Sequence, residues 1–168
     1  MEFRLANNQD LAQLKEIYKK IIQKMNKNDI QIWDDIYPCD FFENDIRNRQ
    51  LYILLDNREI AAAFVLGKTN KGENSVEWED IKAKSRYLDR LAVNVNYLNK
   101  GLGSLMIAKA KEIAREQGAE YLRLFVADIN RPAIQLYEKN GFTRVKGVYK
   151  EIFDDGFLLY EHGYEVRL

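Results

Sequence analysis

The sequence is short of the residues that define several protein classes, and each shortage narrows what the chain can be. It holds one cysteine, Cys39, in 168 residues. That leaves no disulfide framework and no cysteine-rich zinc site, and it fits a reducing cytoplasm. One histidine, His162, and scattered acids give no metal-ligand spacing, so no metal is expected. Lysine plus arginine and aspartate plus glutamate both number 26, for a formal net charge of +0. Without a surplus of either sign there is no global field to gather nucleic acid or an anionic membrane surface. No apolar run approaches the roughly 20 residues of a membrane span. Met1-Glu2-Phe3-Arg4-Leu5 lacks the apolar core of a secretory leader. There is no repeat, low-complexity tract or linker. The length suits one domain, residues 1–168, with a core large enough to need no staple.

What is present is patterned. Phe3 to Leu5 reads as a short strand. Asn7 and Asp10 have capping spacing ahead of a helix whose Leu11, Leu14, Ile17, Tyr18, Ile21, Ile22 and Met25 recur at helical intervals. Pro38 starts a short second helix through Phe41, Phe42 and Ile46. Leu51–Leu55 and Ile60–Leu66 flank Asp56-Asn57-Arg58-Glu59, an antiparallel hairpin. A polar stretch, Gly67 to Ser85, embeds Val76, Trp78 and Ile81, and a connection this long is read as functional. Arg86 to Asn94 is the central strand. Leu102, Leu105, Met106, Ala110 and Ile113 form the inner stripe of the next helix, stopped by Gly118.

Tyr121 to Ala127 is another strand, so the strand–helix–strand unit predicts a right-handed crossover with parallel neighbours. Asn130 caps a helix with Pro132 in its first turn and Gly141 at its end. Phe142–Glu151 and Phe157–Val166 are the last two strands, joined around Asp154-Asp155-Gly156. The fold class is α/β, in the order β-α-α-β-β-β-α-β-α-β-β, with a mixed central sheet and helices on both faces.

The central strand runs into Leu98-Asn99-Lys100-Gly101-Leu102-Gly103-Ser104, which opens a helix. Glycines let backbone approach closely, and a helix's first N–H groups have no intrahelical partner, so a phosphate or pyrophosphate suits this junction. A plain tight turn needs the same residues. A dinucleotide-binding domain also has a glycine loop, but Met106 stands where its third glycine belongs.

A second motif lies one strand further on. Asn130-Arg131-Pro132-Ala133-Ile134-Gln135-Leu136-Tyr137-Glu138-Lys139-Asn140-Gly141-Phe142 reads N-x-x-A-x-x-x-Y-x-x-x-G-F. With Arg90-Leu91-Ala92-Val93 and the Gly-x-Gly loop before it, the chain resembles the GNAT superfamily of acyl-CoA-dependent N-acyltransferases over essentially its whole length. The resemblance implies the family's fold, acetyl-CoA as cofactor, and direct transfer of an acetyl group to a primary amine of a small molecule or a protein. A non-catalytic acyl-CoA sensor or interaction module is the alternative. The Ile32-Trp33-Asp34-Asp35-Ile36-Tyr37-Pro38 segment resembles a group of small bacterial members and leaves the acceptor open. A monomer or a homodimer is expected.

The same resemblance distributes roles. Leu91, Ala92 and Val93 would offer main-chain hydrogen bonds to the pantetheine arm. Leu98, Asn99, Lys100, Gly101, Leu102, Gly103 and Ser104 would wrap the pyrophosphate. Leu98 stands where the family usually carries Gln or Arg, which leaves that place to backbone amides, and Val95 stands where proline is frequent. Asn130, an N-cap on its own, would also touch the cofactor arm. Tyr137 would be the general acid for the leaving thiolate and border the cofactor; by helical spacing alone it reads as a core aromatic. By period two, Tyr87, Asp89 and Leu91 project to one side of their strand. Family members often place Glu or His at the places of 87 or 89, which makes Asp89 the candidate base, or else simply an ion-pair partner of Arg90. Glu77 and Glu79 are outside candidates. Cys39 has no histidine partner, and His162 reads as packing or surface. The acceptor is expected between Trp33-to-Tyr37 and Trp78.

Overall fold

A computed structural model describes residues 1–168. It is mixed α/β, with a mostly antiparallel central sheet and helices. Contacts group the chain into two compact units, Met1–Leu66 with Arg90–Ala108, and Gly67–Asp89 with Lys109–Leu168.

In the first unit, β1 (Glu2–Leu5) pairs antiparallel with β2 (Leu51–Asp56), and β2 pairs antiparallel with β3 (Glu59–Gly67). Asn57 and Arg58 turn the β2–β3 hairpin with φ of 47° and 74°, the left-handed pair that a two-residue hairpin turn requires. Ahead of α1 (Leu11–Lys27) the predicted cap forms as a full capping box. The Asn7 side chain accepts from Gln9 N at 2.9 Å, and Asp10 accepts from Asn7 N at 2.8 Å. Arg4 clasps the same Asp10 carboxylate through two contacts of 2.8 Å, which holds its carboxyl below the usual range. Helix α1 buries Leu14, Ile17, Tyr18, Ile21 and Ile22. They pack with Phe42 of α2 (Phe42–Arg47), Leu51, Ile53, Ile60, Val65 and Ala92.

In the second unit, β4 (Val76–Glu77) is a short strand within the polar stretch. The opening residues of β5 (Ser85–Val93) pair parallel with β6 (Tyr121–Ala127), from Ser85↔Tyr121 to Tyr87↔Arg123. The predicted parallel neighbours are therefore present. They are connected through α3 (Leu102–Glu116). Its buried side is Leu102, Met106, Ile107, Ala110 and Ala114, while Leu105 is 40% exposed. The helix has more apolar residues than one face can hold, and the 3.6-residue period favours Ile107 over Leu105.

After α4 (Arg131–Lys139) the expected single strand over Phe142–Glu151 is three: β7 (Thr143–Arg144), β8 (Lys146–Gly147) and β9 (Tyr149–Ile152). The chain changes partner twice here. β7 and β9 pair with β10 (Leu158–Arg167), and β8 pairs with β4. Gly147 makes the middle switch possible. Its φ is +100°, and a Cβ there would sit 2.7 Å from the Ser75 carbonyl. β10 also pairs antiparallel with β6 along its length, from Glu161↔Ala127 to Arg167↔Tyr121.

Candidate active site

The structure places the sequence-derived site residues in both units. In the first, β5 reaches Leu91, Ala92 and Val93 through a kink. Arg90 has φ +52°, a conformation most residues avoid. It is held from two sides: the Tyr18 hydroxyl donates to the Arg90 carbonyl at 2.6 Å, and the guanidinium donates to Asp45 at 3.1 Å. A left-handed residue interrupts the regular extended backbone at this point of the strand.

Beyond Val93 the chain makes a short 3₁₀ turn at Val95–Tyr97, then passes Leu98, Asn99 with φ +60°, Lys100, and Gly101 with φ +75°. A Cβ on Gly101 would meet nothing within 4 Å, so this glycine serves the backbone conformation and leaves open space beside it. Helix α3 starts at Leu102, and its first hydrogen bond runs from Leu105 N to Gly101 O at 3.1 Å. The amides of Leu102 and Gly103 lie ahead of that bond, at the positive end of a long helix. Open space, a left-handed glycine and helix-end amides fit an anionic group.

Of the aromatic residues expected to wall an acceptor, Trp33 packs on Tyr18 with ring centroids 5.6 Å apart, against the core of the first unit. Tyr37 covers the Arg90 guanidinium at 5.3 Å. Trp78, in the second unit, is 8% exposed and packs with Val76, Tyr87 and Phe125. Its indole N–H donates to the Glu73 carbonyl at 2.8 Å, and Arg123 stacks on it at 4.6 Å. The indole is buried with its N–H satisfied, as a packed tryptophan usually is.

In the second unit, Asn130 caps α4 by accepting from Ala133 N at 3.3 Å, and Pro132 sits in the first turn. The helix ends at Gly141, whose φ is +86°. Between them Tyr137 is buried, its ring edge-on to Phe142 at 5.8 Å. Burial pushes the phenol far above its ordinary range, and the charge of Asp89 pushes it the same way. The ring packs, and the phenol feels the other residue expected to do chemistry.

Sequence reasoning missed Glu161. This carboxyl is pushed up to about 7, first by burial, then by the charges of Glu151 and Asp89, with Lys71 opposing. A carboxylate titrating at neutrality is what proton removal at pH 7 needs. No motif marks Glu161. It lies in β10 opposite Ala127 of β6 and Tyr149 of β9, so only the pairing of remote strands defines its surroundings. The outside candidates lie on and just after β4. The Glu79 backbone N–H donates at 2.7 Å to Glu165, which is paired with buried Arg123 at 3.1 Å, and Glu77 is an exposed residue of β4. Tyr87 is packed against Trp78 with centroids 6.1 Å apart. Burial pushes the Cys39 thiol up, which opposes nucleophilic use. His162 is partly buried with its Nδ1 unpartnered, and burial pulls its pKa down.

No helix is long and apolar enough to cross a membrane. A model of the acetyltransferase (GNAT) family matches residues 13–142. The chain is 28% identical over 144 residues to YwnH of Bacillus subtilis (strain 168), whose name points to phosphinothricin acetylation. The match covers 85% of this chain and 84% of that one. It is 27% identical over 124 residues to an N-alpha-acetyltransferase of Saccharolobus solfataricus, covering 71% and 72%. Among solved structures, it shares the fold of yncA from Salmonella typhimurium, solved with its cofactor acetyl-CoA. That similarity has a TM-score of 0.72 at 19% identity over 100% of this chain and 94% of that one. A family model spanning most of the residues, with acetyltransferase relatives aligned along most of both chains, identifies this chain as an acyltransferase belonging to the acetyltransferase (GNAT) family.

Proposed function

We propose that the protein moves the acetyl group of acetyl-CoA directly to a primary amine of a small molecule or a protein. The observation that carries this reading is the grouping around Asp89 in the second unit. Tyr137, a phenol held protonated, and Glu161, a carboxyl poised near 7, both feel the Asp89 charge. A binding module needs neither a proton donor nor a base. Relatives named for N-alpha and N-epsilon acetylation support an amine as acceptor.

Bound acetyl-CoA supplies a thioester whose carbonyl an amine can attack. The protein's residues manage the rest. An alkyl amine with a pKa of about 10 arrives mostly as ammonium. Glu161 takes its proton, made basic enough first by burial and then by the charges of Glu151 and Asp89. The freed lone pair forms the new C–N bond as the C–S bond breaks. Tyr137 would give its proton to the departing sulfur and recover one from Glu161 through solvent, while the surplus proton on the newly acylated nitrogen is lost to solvent. Leu91, Ala92 and Val93 would hold the pantetheine arm by their backbone, with Asn130 as a polar neighbour. Leu98 through Ser104 would hold the pyrophosphate, with Lys100 adding charge. Trp33 and Tyr37 would border the acceptor. The reading places the enzyme in the cytoplasm, where a free cysteine such as Cys39 is ordinary.

Ligand protection tests the cofactor assignment. CoA at a hundred times its Kd should add about 2.7 kcal/mol, which is a Tm rise of roughly 5–10 °C for a chain this size. NAD and ATP should add far less. Stabilisation by NAD and not by CoA would overturn the assignment.

A branched side chain at Gly103 should obstruct an anion at the start of α3. Gly103→Val is therefore expected to raise the Kd for CoA about ten-fold or more, a loss of about 1.4 kcal/mol or greater. Gly103 is not among the residues with left-handed φ, so the fold should survive the change. A folded variant that binds CoA normally would remove the phosphate role from this turn.

A further inference from the structure

One carboxylate of the β2–β3 hairpin reaches across to the loop that precedes α3. Glu59, the first residue of β3, accepts from the Tyr97 hydroxyl at 2.9 Å through one oxygen. Its other oxygen accepts from the side-chain amides of Asn94 at 3.2 Å and Asn96 at 3.3 Å. Asn94 is 2% exposed and makes four further hydrogen bonds. Its side chain donates to Ile60 O at 2.9 Å, and its backbone N–H donates to Ala61 O at 2.9 Å. Its Oδ1 accepts from Asn96 N at 3.1 Å, and its carbonyl accepts from Tyr97 N at 2.8 Å. The Lys100 ammonium then lies 4.7 Å over the Tyr97 ring. A single acidic side chain thus takes bonds from Asn94, Asn96 and Tyr97, three residues of the run between the end of β5 and the glycine turn.

The electrostatics agree with a persistent network. The Tyr97 phenol is pushed up to about 12, chiefly by its hydrogen bond to Glu59. The Glu59 carboxyl is held below the usual range, chiefly by the same bond.

We propose that Glu59 is a positioning residue for the cofactor. Through Tyr97, Asn94 and Asn96 it fixes the loop that presents the Leu98–Ser104 backbone to the pyrophosphate. The inference rests on reading that loop as the pyrophosphate site.

Charge and geometry make opposite forecasts, which makes the idea testable. A negative charge close to an anion site repels the anion, so neutralising it should tighten binding if charge were its only effect. If Glu59 positions the loop, removing the carboxylate should weaken binding, because amides that must be ordered on binding contribute less.

The test compares two acetyl donors, acetyl-CoA and S-acetyl-pantetheine, which lacks the pyrophosphate. In Glu59→Gln the KM for acetyl-CoA should rise roughly three- to ten-fold, as expected for loss of charge-assisted hydrogen bonds at a part-exposed site. Turnover at saturation, and the KM for S-acetyl-pantetheine, should stay at wild-type values. Tyr97→Phe removes only a hydroxyl and should move the acetyl-CoA KM the same way by less. It carries the same test if the Glu59 variant does not fold. An unchanged or lowered acetyl-CoA KM would overturn the proposal, as would equal weakening of both donors, which marks general loosening. A wild-type enzyme that fails to distinguish the two donors would instead refute the pyrophosphate-loop reading, and this proposal with it.

Discussion

Replacing Tyr137 with phenylalanine should lower kcat by about 10²–10⁴, the usual worth of general acid help. That is about 3–5 kcal/mol of barrier at 1.36 kcal/mol per decade. The KM for acetyl-CoA should hardly move, because the buried ring and its edge-on contact with Phe142 are kept. The phenol's environment refines the expectation. Burial, then Asp89, raise its pKa well above the ordinary value, so it is protonated at every pH at which the enzyme would be assayed. The same shift makes it a weak acid against a thiol with a pKa of about 8.5. Its proton is therefore useful only once negative charge has developed on sulfur, which points to the lower half of the range. Donors with more acidic thiols need less help, and the Phe variant should lose less rate with them. Steady-state kinetics across a thiol series checks this. A Phe variant at full rate would make Tyr137 purely a core residue.

The second large effect concerns the base. Glu161→Gln should reduce kcat/KM by about 10²–10⁴ at neutral pH. It should also remove the acid limb that the wild-type profile shows near the Glu161 pKa of about 7. The sign follows from the group. A base works only when deprotonated, so the rate is high above that pKa and falls below it. Asp89→Asn then separates the two carboxylates. If Glu161 is the base, removing the neighbouring charge eases its ionisation, and the limb moves to lower pH with activity retained near pH 6. If Asp89 is the base, Asp89→Asn loses the rate and Glu161→Gln keeps it. Full pH profiles of both variants decide between them. A wild-type profile without an acid limb near 7 would set Glu161 aside.

Legibility in the sequence followed the range of the interactions. The Asn7–Asp10 cap, the Asn57–Arg58 turn, the Gly101 turn into α3 and the Asn130-to-Gly141 helix are local. Each is written in a few adjacent residues, and each forms as read. Glu161 was invisible because its environment is made by strands distant in the chain, which bring Asp89 and Glu151 to bear on it. The break of Phe142–Glu151 into β7, β8 and β9 comes from partner exchange with β4 and β10, and apolar alternation within one segment cannot report who the partner is. Trp78 shows the limit of composition. A large aromatic in a polar stretch has the same letter whether it walls a cleft or fills a core, and its burial and its bond to the Glu73 carbonyl are seen only in the structure. Arg90 interrupts the extended backbone with a left-handed φ held by contacts from Tyr18 and Asp45, outside its own strand.

The most direct test of the central claim follows the acetyl group itself. The protein is mixed with acetyl-CoA carrying isotopic carbon in the acetyl group and with a panel of polyamines, amino acids, aminoglycosides and peptide amines. Mass spectrometry tracks the label while a thiol reagent counts released CoA. The account predicts that at least one amine gains the label on nitrogen in a one-to-one ratio with released CoA, and that Tyr137→Phe slows both together. CoA that protects the protein from heat, with no amine ever gaining label, would contradict it and identify an acyl-CoA-binding module.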